Sequence, residues 1–246
     1  MNSRERIDAI LHFEEPDRVG LHGWVWSDTI EKWGLTSLSK WKLRRRMSEI
    51  YSFFPIHTPW RQPSDYYSPG YDEMIVEETD EWQIIRDQYG VKAKYWSTKQ
   101  GVPHILEAPV KCLDDFKEKI EPFMDPDDPR RVTSNRFPYK KDLEEAIKNY
   151  QRDFYVALWL IGPFEICRHF VGGIPQLLTI MIRNPHFASY MFNSVAEYQA
   201  RVCETHIDAG VDAFFMGEDL GYKNGPFLEK SNLKRLGRDS WRQQTP

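Results

Sequence analysis

The stretch from Ala209 to Leu228, AGVDAFFMGEDLGYKNGPFL, constrains the fold more than any other part of this chain. A short apolar run, Ala213 to Met216, leads through Gly217 to two adjacent carboxylates, Glu218 and Asp219, and then to a Gly-Tyr-Lys-Asn-Gly-Pro loop. Short continuous apolar runs are typical of parallel strands covered on both faces. In α/β folds the chemistry collects in the loops just past the carboxyl ends of such strands. A second run of this kind, Tyr155 to Ile161 (YVALWLI), stops at Gly162-Pro163, and proline suits the first turn of a following helix.

Helical patterns separate further strand candidates. Asn2 or Ser3 can cap a first helix whose apolar face is Ile7, Ile10, Leu11 and Ala9, ended by Glu14-Glu15-Pro16. Arg18 to Trp26 (RVGLHGWVW) reads as a strand, and Ser27 or Asp28 caps a short helix toward Trp33. A helix from about Leu38 to Ser52 and a strand from Phe53 to Ile56 follow. Residues 74–96 differ in texture: Met74 to Glu78, Trp82 to Asp87 and Val91 to Trp96 are β-branched and aromatic segments broken by turn residues, an antiparallel meander. Helices are expected over Asp114–Ile120, Lys140–Tyr150, Ile174–Ile182 and Pro185–Ala209, the last with Phe187, Tyr190, Met191, Ser194, Val195, Tyr198 and Val202 on one face. About four parallel strands with long helical crossovers result. The fold class is α/β, a partial (β/α)8 barrel of about half the full strand set, with the meander inserted.

Composition narrows the function classes. The net charge is −4 with both signs mixed, which gives no basic face for nucleic acid. Residues 1–20 lack the apolar core of a signal peptide, and no run approaches the ~18 apolar residues of a membrane span. Three cysteines in unrelated contexts, Cys112, Cys167 and Cys203, argue against a disulfide framework and for a reducing cytoplasm. No phosphate-cradling glycine motif occurs; Gly172-Gly173 reads as a helix stop.

Several segments in order resemble one family. NSRERIDAILHFEEPDRV at the start, EETDEWQIIRDQYGVKAKYW (Glu77 to Trp96), LEAPVKCLDDFKEKI (Leu106 to Ile120), LWLIGPFEICRHFVGG (Leu158 to Gly173) and GVDAFFMGEDLGYKNGPFL are similar to the uroporphyrinogen decarboxylase superfamily, in its divergent branch. The resemblance covers residues 1–228, and 229–246 form an atypical tail. It implies a (β/α)8 barrel, cut short here at its C-terminal side, and a cofactor-free carboxy-lyase acting on a tetrapyrrole or a related carboxylated small molecule. The superfamily also holds zinc-dependent methyltransferases that work with corrinoid proteins, which makes a corrinoid protein the alternative partner. Their zinc ligands would lie beyond this chain, so no metal is expected. A non-catalytic, truncated product that only assembles, for instance as a homodimer through an open sheet edge, is the third reading.

The chain departs from the family at three places. Where the porphyrinogen decarboxylases carry an Arg-rich segment, residues 22–34 read HGWVWSDTIEKWG, with no arginine to grip substrate carboxylates. The family's Tyr after the Gly-Pro helix start falls at His169. After Leu228 the family continues with Ser-Pro-Glu and the rest of the barrel, whereas this chain reads EKSNLKRLGRDSWRQQTP. Within the resemblance, Asp219 falls where the decarboxylases use a Ser, and the family's acid stabilises a protonated pyrrole.

The candidate catalytic residues are therefore Asp219, Glu218 and His169. Glu218 and Asp219 could hold a proton, stabilise a cation or merely cap a helix. His169 could donate a proton or be structural. The substrate-binding candidates are His22, Trp24 and Trp26, which alternate on one strand face, together with His57, Arg168 and Tyr222. Arg168 reads equally as half of a surface ion pair. Cys203 and His206, three apart on a helix, share a face without making a metal site.

Overall fold

The computed structural model describes residues 1–23, 27–35, 48–53, 73–87, 90–97, 103–126 and 140–229. In chain order the elements are α1 (Ser3–Leu11), α2 (Ser27–Lys32), β1 (Ile50–Phe53), β2 (Met74–Glu78), β3 (Trp82–Arg86), β4 (Lys92–Trp96) and β5 (His104–Glu107). There follow α3 (Leu113–Lys119), a 3-10 turn (Glu121–Phe123), α4 (Lys140–Tyr150), β6 (Tyr155–Ile161), α5 (Pro163–Val171), α6 (Ile174–Arg183) and α7 (Pro185–Asp208). The last elements are β7 (Ala213–Gly217), β8 (Gly221–Tyr222) and β9 (Gly225–Pro226).

The chain is mixed α/β. A three-stranded parallel sheet has the order β1-β6-β7, and a separate four-stranded antiparallel sheet has the order β2-β3-β4-β5. The described residues form no closed barrel and hold three parallel strands, not four. The register pairs Ile50 with Tyr155, Trp159 with Phe215 and Ile161 with Gly217. Side chains alternate across β6. Val156, Leu158 and Leu160 are buried in the helix-covered core, and Trp159 and Ile161, on the opposite face, are only half-buried. The core on the covered side is built from α5 (Phe164, Ile166, Phe170), α6 (Leu177, Met181) and α7 (Phe187, Met191, Val195, Val202), with Phe116 and Ile147 from α3 and α4.

Local chemistry fixes the helix ends. Asn2 and Glu5 form a reciprocal capping box at α1. Pro163 opens α5, and Gly172 closes it in the left-handed conformation with φ 97°. Asn184 accepts from the Phe187 N–H at 3.2 Å to start α7.

The residues from Arg18 to Gly23 form no strand. The reason is Glu49, a carboxylate only 3% exposed. It takes the Leu21 N–H at 2.8 Å, Arg18 at 2.8 and 3.2 Å, and the Arg6 guanidinium. Arg6 also binds Asp17 at 2.5 and 2.8 Å. Leu21 is thereby held on both sides by Glu49, its N–H on the carboxylate and its carbonyl on the Glu49 N–H at 2.8 Å, and the Glu-Pro-Asp-Arg step fastens α1 to the start of β1. Of the expected helix over Leu38–Ser52, residues 38–47 lie outside the described residues, and 48–52 are not helical, because Glu49 belongs to that cluster and Ile50 begins β1. Of the parallel strand expected at Phe53–Ile56, residues 54–56 lie outside the described residues; the described strand is Ile50–Phe53, registered on Tyr155–Leu158. The meander gains a fourth strand, β5, which the isolated tetrad HILE does not announce by length or alternation. Ile10 and Leu11 are 37% and 53% exposed, so the buried face of α1 is Arg6, Ile7 and Ala9.

Candidate functional site

The site begins where β6 and β7 end side by side. Gly162 N–H donates to Gly217 O at 2.9 Å, which clamps the two strand ends together. One residue on, the Glu218 carboxylate turns back onto the first turn of α5. Its two oxygens accept the Phe164 and Glu165 N–H groups, each at 3.0 Å. A carboxylate there satisfies two helix-end donors and meets the positive end of the helix dipole. Gly162 makes this possible: a Cβ at that position would lie 2.2 Å from the Glu218 carboxylate. Glu218 is thus engaged as a cap, while its neighbour Asp219 is exposed at the strand end.

The loop beyond Asp219 is pinned to the same helix end by aromatic rings. Tyr222 stacks on Phe227 at 5.3 Å between centroids, and Phe227 stacks on Phe164 at 6.4 Å. Phe227 N–H closes the loop on Leu220 O at 2.9 Å. Tyr222 remains 54% exposed. Glu218, Asp219 and Tyr222 are therefore gathered at one end of α5, and Cys167, fully buried beneath, has its thiol pushed well up by burial and then by the Glu218 charge.

His169 lies elsewhere. It occupies the last turn of α5, six residues past Pro163 and hence about 9 Å along the helix axis. Its Nε2 is 2.8 Å from Asp87 Oδ2. Asp87 is held by the β3–β4 turn, where its Oδ1 accepts the Val91 N–H at 2.9 Å and its own N–H donates to Val91 O at 2.9 Å. The carboxylate is thereby fixed and orients the imidazole, the arrangement expected of a proton-transfer pair or of a latch between sheet and helix. Burial, then the Asp87 charge, raises the nearby Tyr95 hydroxyl above its usual range. Arg168 pairs with Glu165 one turn back on the same helix, with Nε to Oε2 at 2.6 Å.

His22 lies against the open face of the parallel sheet. Its ring meets Phe215 at 5.4 Å, and Phe215 stacks on Trp159 at 4.4 Å and 24°. Its Nδ1 is 2.7 Å from Ser48 Oγ, and burial lowers its affinity for a proton. Trp24, Trp26 and His57 lie outside the described residues. On α7, His206 Nδ1–H donates to Val202 O, 2.9 Å away, and the Cys203 thiol is pushed up to about 12 by burial. Among the described residues no three His, Cys, Asp or Glu side chains come together as a metal-binding group.

Sequence reasoning missed Asp87 and Asp212. Asp212, at the entrance to β7, receives Arg4 at 2.7 and 2.8 Å, the Val156 N–H at 2.8 Å and Gln151 at 2.9 Å. Hydrogen bonding to Asp212 in turn raises the Arg4 guanidinium further above its usual range. Asp212 stands at the amino end of the strand, opposite the acids, and its work is structural. The only local signal was an aspartate just before a buried run.

Fold and site together define a mixed α/β protein in which two parallel strands end side by side and the second, β7, delivers two acids to one loop cluster. No protein-family model matches the chain, and no curated protein matches it. Among the described residues no helix is long and apolar enough to cross a membrane.

Proposed function

We propose that this chain is a uroporphyrinogen-decarboxylase-like lyase, a cofactor-free carboxy-lyase for a carboxylated small molecule, whose parallel strands are part of a (β/α)8-type sheet. The observation that carries the reading is the division of labour between Glu218 and Asp219. Glu218 is engaged by two backbone N–H groups and fixes the loop, and Asp219 is left exposed past the end of β7. A carboxylate presented at that position can stabilise the cation that forms when a substrate ring is protonated ahead of C–CO2 cleavage. His169, oriented by Asp87, serves as the proton donor if substrate spans the length of α5. The protein works in the cytoplasm on a small molecule, without nucleic acid or membrane.

The direct test is release of CO2 from carboxylated pyrroles and tetrapyrroles. Uroporphyrinogen itself should turn over weakly or not at all, since residues 22–34 contain no arginine for its carboxylates. Robust, saturable formation of coproporphyrinogen would overturn that specificity. Methyl transfer to a corrinoid protein, with zinc bound stoichiometrically, would replace the lyase by the methyltransferase reading. A homodimer belongs to the proposal: among the described residues β1 and β7 are the outer strands of the parallel sheet, and outer strands offer unpaired backbone groups. A monomer throughout in sedimentation velocity would remove it.

A further inference from the structure

A column of four aromatic rings runs from the core to the strand-end loop. Phe192 of α7 and Phe164 of α5, both buried, stack at 6.5 Å between centroids and 8°. Phe227 continues the column on Phe164 at 17°, and Tyr222 ends it on Phe227 at 11°. Near-parallel rings at these separations are offset-stacked, an arrangement that aromatic pairs favour. Phe227 on Phe164 already fastens the loop to the helix. Tyr222 adds a further ring, with one face on Phe227 and more than half of the residue exposed.

The backbone under that ring is held as well. Tyr222 pairs with Gly225 across the β8–β9 hairpin, and Phe227 N–H donates to Leu220 O at 2.9 Å. Gly225, at φ 136°, takes a conformation that favours glycine, which lets the chain reverse here at no steric cost. A ring oriented beforehand loses little further freedom when something stacks on it. Asp219 precedes Tyr222 by three residues, so their Cα atoms are at most ~11 Å apart. Both residues are exposed. A small molecule resting on Tyr222 is therefore close to the strand-end acid.

We propose that the outer face of Tyr222 is a stacking subsite for the planar, conjugated ring of a small molecule, with Asp219 beside it. The proposal rests on the lyase reading for the choice of this loop as the site, and it deepens that reading. The substrate is planar where it meets Tyr222, and a saturated ring of the same size is the poorer ligand. Tyr222 acts as a specificity-determining residue, and Phe227 holds it in place.

The test uses benzamide and cyclohexanecarboxamide. Both are uncharged, so the neighbouring acids do not bias the comparison, and they differ only in the ring. Each is titrated into the full chain at millimolar concentrations and followed by NMR of the Tyr222 ring protons. Apolar area alone favours the saturated ring, which has the larger surface. Stacking reverses the order: benzamide should bind about fivefold more tightly and move the Tyr222 ring resonances upfield. Tyr222→Trp should keep or strengthen the preference for benzamide, and Tyr222→Leu should abolish it. Equal or tighter binding of cyclohexanecarboxamide to the wild-type protein, no binding of benzamide, or benzamide binding that leaves the Tyr222 resonances unmoved would overturn the proposal. A preference for benzamide that survives Tyr222→Leu would place the stacking elsewhere and also overturn it. Turnover plays no part, so a silent Asp219 variant would remove the lyase reading and leave these results standing.

Discussion

Asp219→Asn should reduce turnover about 100-fold in a full-length relative carrying the same strand end, while leaving its fold intact. Losing one charge aimed at a developing cation costs on the order of 3 kcal/mol in the barrier. Glu218→Gln should act differently. The amide keeps one acceptor oxygen for the Phe164 and Glu165 N–H groups but loses the other and the charge, so activity should fall because the loop shifts. The cap itself should cost on the order of 1 kcal/mol of stability. Steady-state kinetics with thermal unfolding separate the two effects. Wild-type turnover in both variants would remove the strand-end acids from the mechanism.

Asp212→Ala should be the most destabilising polar substitution at the amino end of the sheet, by roughly 3 kcal/mol. The carboxylate is 12% exposed and accepts four hydrogen bonds from three partners: Arg4 through two nitrogens, the Val156 N–H and Gln151. Truncation strands the Val156 donor and leaves Arg4 beside Tyr155, over whose ring it already sits at 5.6 Å. Arg4→Ala should cost less, because Arg4 is 34% exposed and surface ion pairs contribute little. Urea unfolding of the two single variants and the double variant measures this. Equal losses for Asp212→Ala and Arg4→Ala would show that the ion pair, not the backbone cap, dominates.

Elements written by local periodicity were legible in the sequence. Lys140–Tyr150 and Tyr155–Ile161 lie where their patterns place them, and Ala213–Gly217 differs from expectation by one residue. What failed were segments whose backbone is satisfied by distant side chains. Arg18 to Gly23 looks like a strand by composition, but its Leu21 N–H and its Arg18 side chain go to Glu49, and nothing near residue 20 reveals that a carboxylate will arrive there. Asp87 is equally silent, because its partner His169 is 82 residues away. At the site, the adjacency of Glu218 and Asp219 to a buried run was visible. Which of the two would be consumed by a cap was not, since that depends on Gly162 lying close enough to admit the carboxylate.

The Arg4–Asp212 bond spans 208 positions of chain. Helix α1 leaves the ribosome well before Asp212, and that carboxylate is made last among the partners of Arg4. At ~5–20 residues per second, that interval is roughly 10 to 40 s. During it the capping box can keep α1 wound and Arg6 can reach Asp17 and Glu49, but Arg4 has no finished seat. The amino-terminal segment is therefore the part of the nascent chain most in need of shielding, and a chaperone or a pause in translation acting before residue 212 emerges would change the yield of folded protein without touching its final stability.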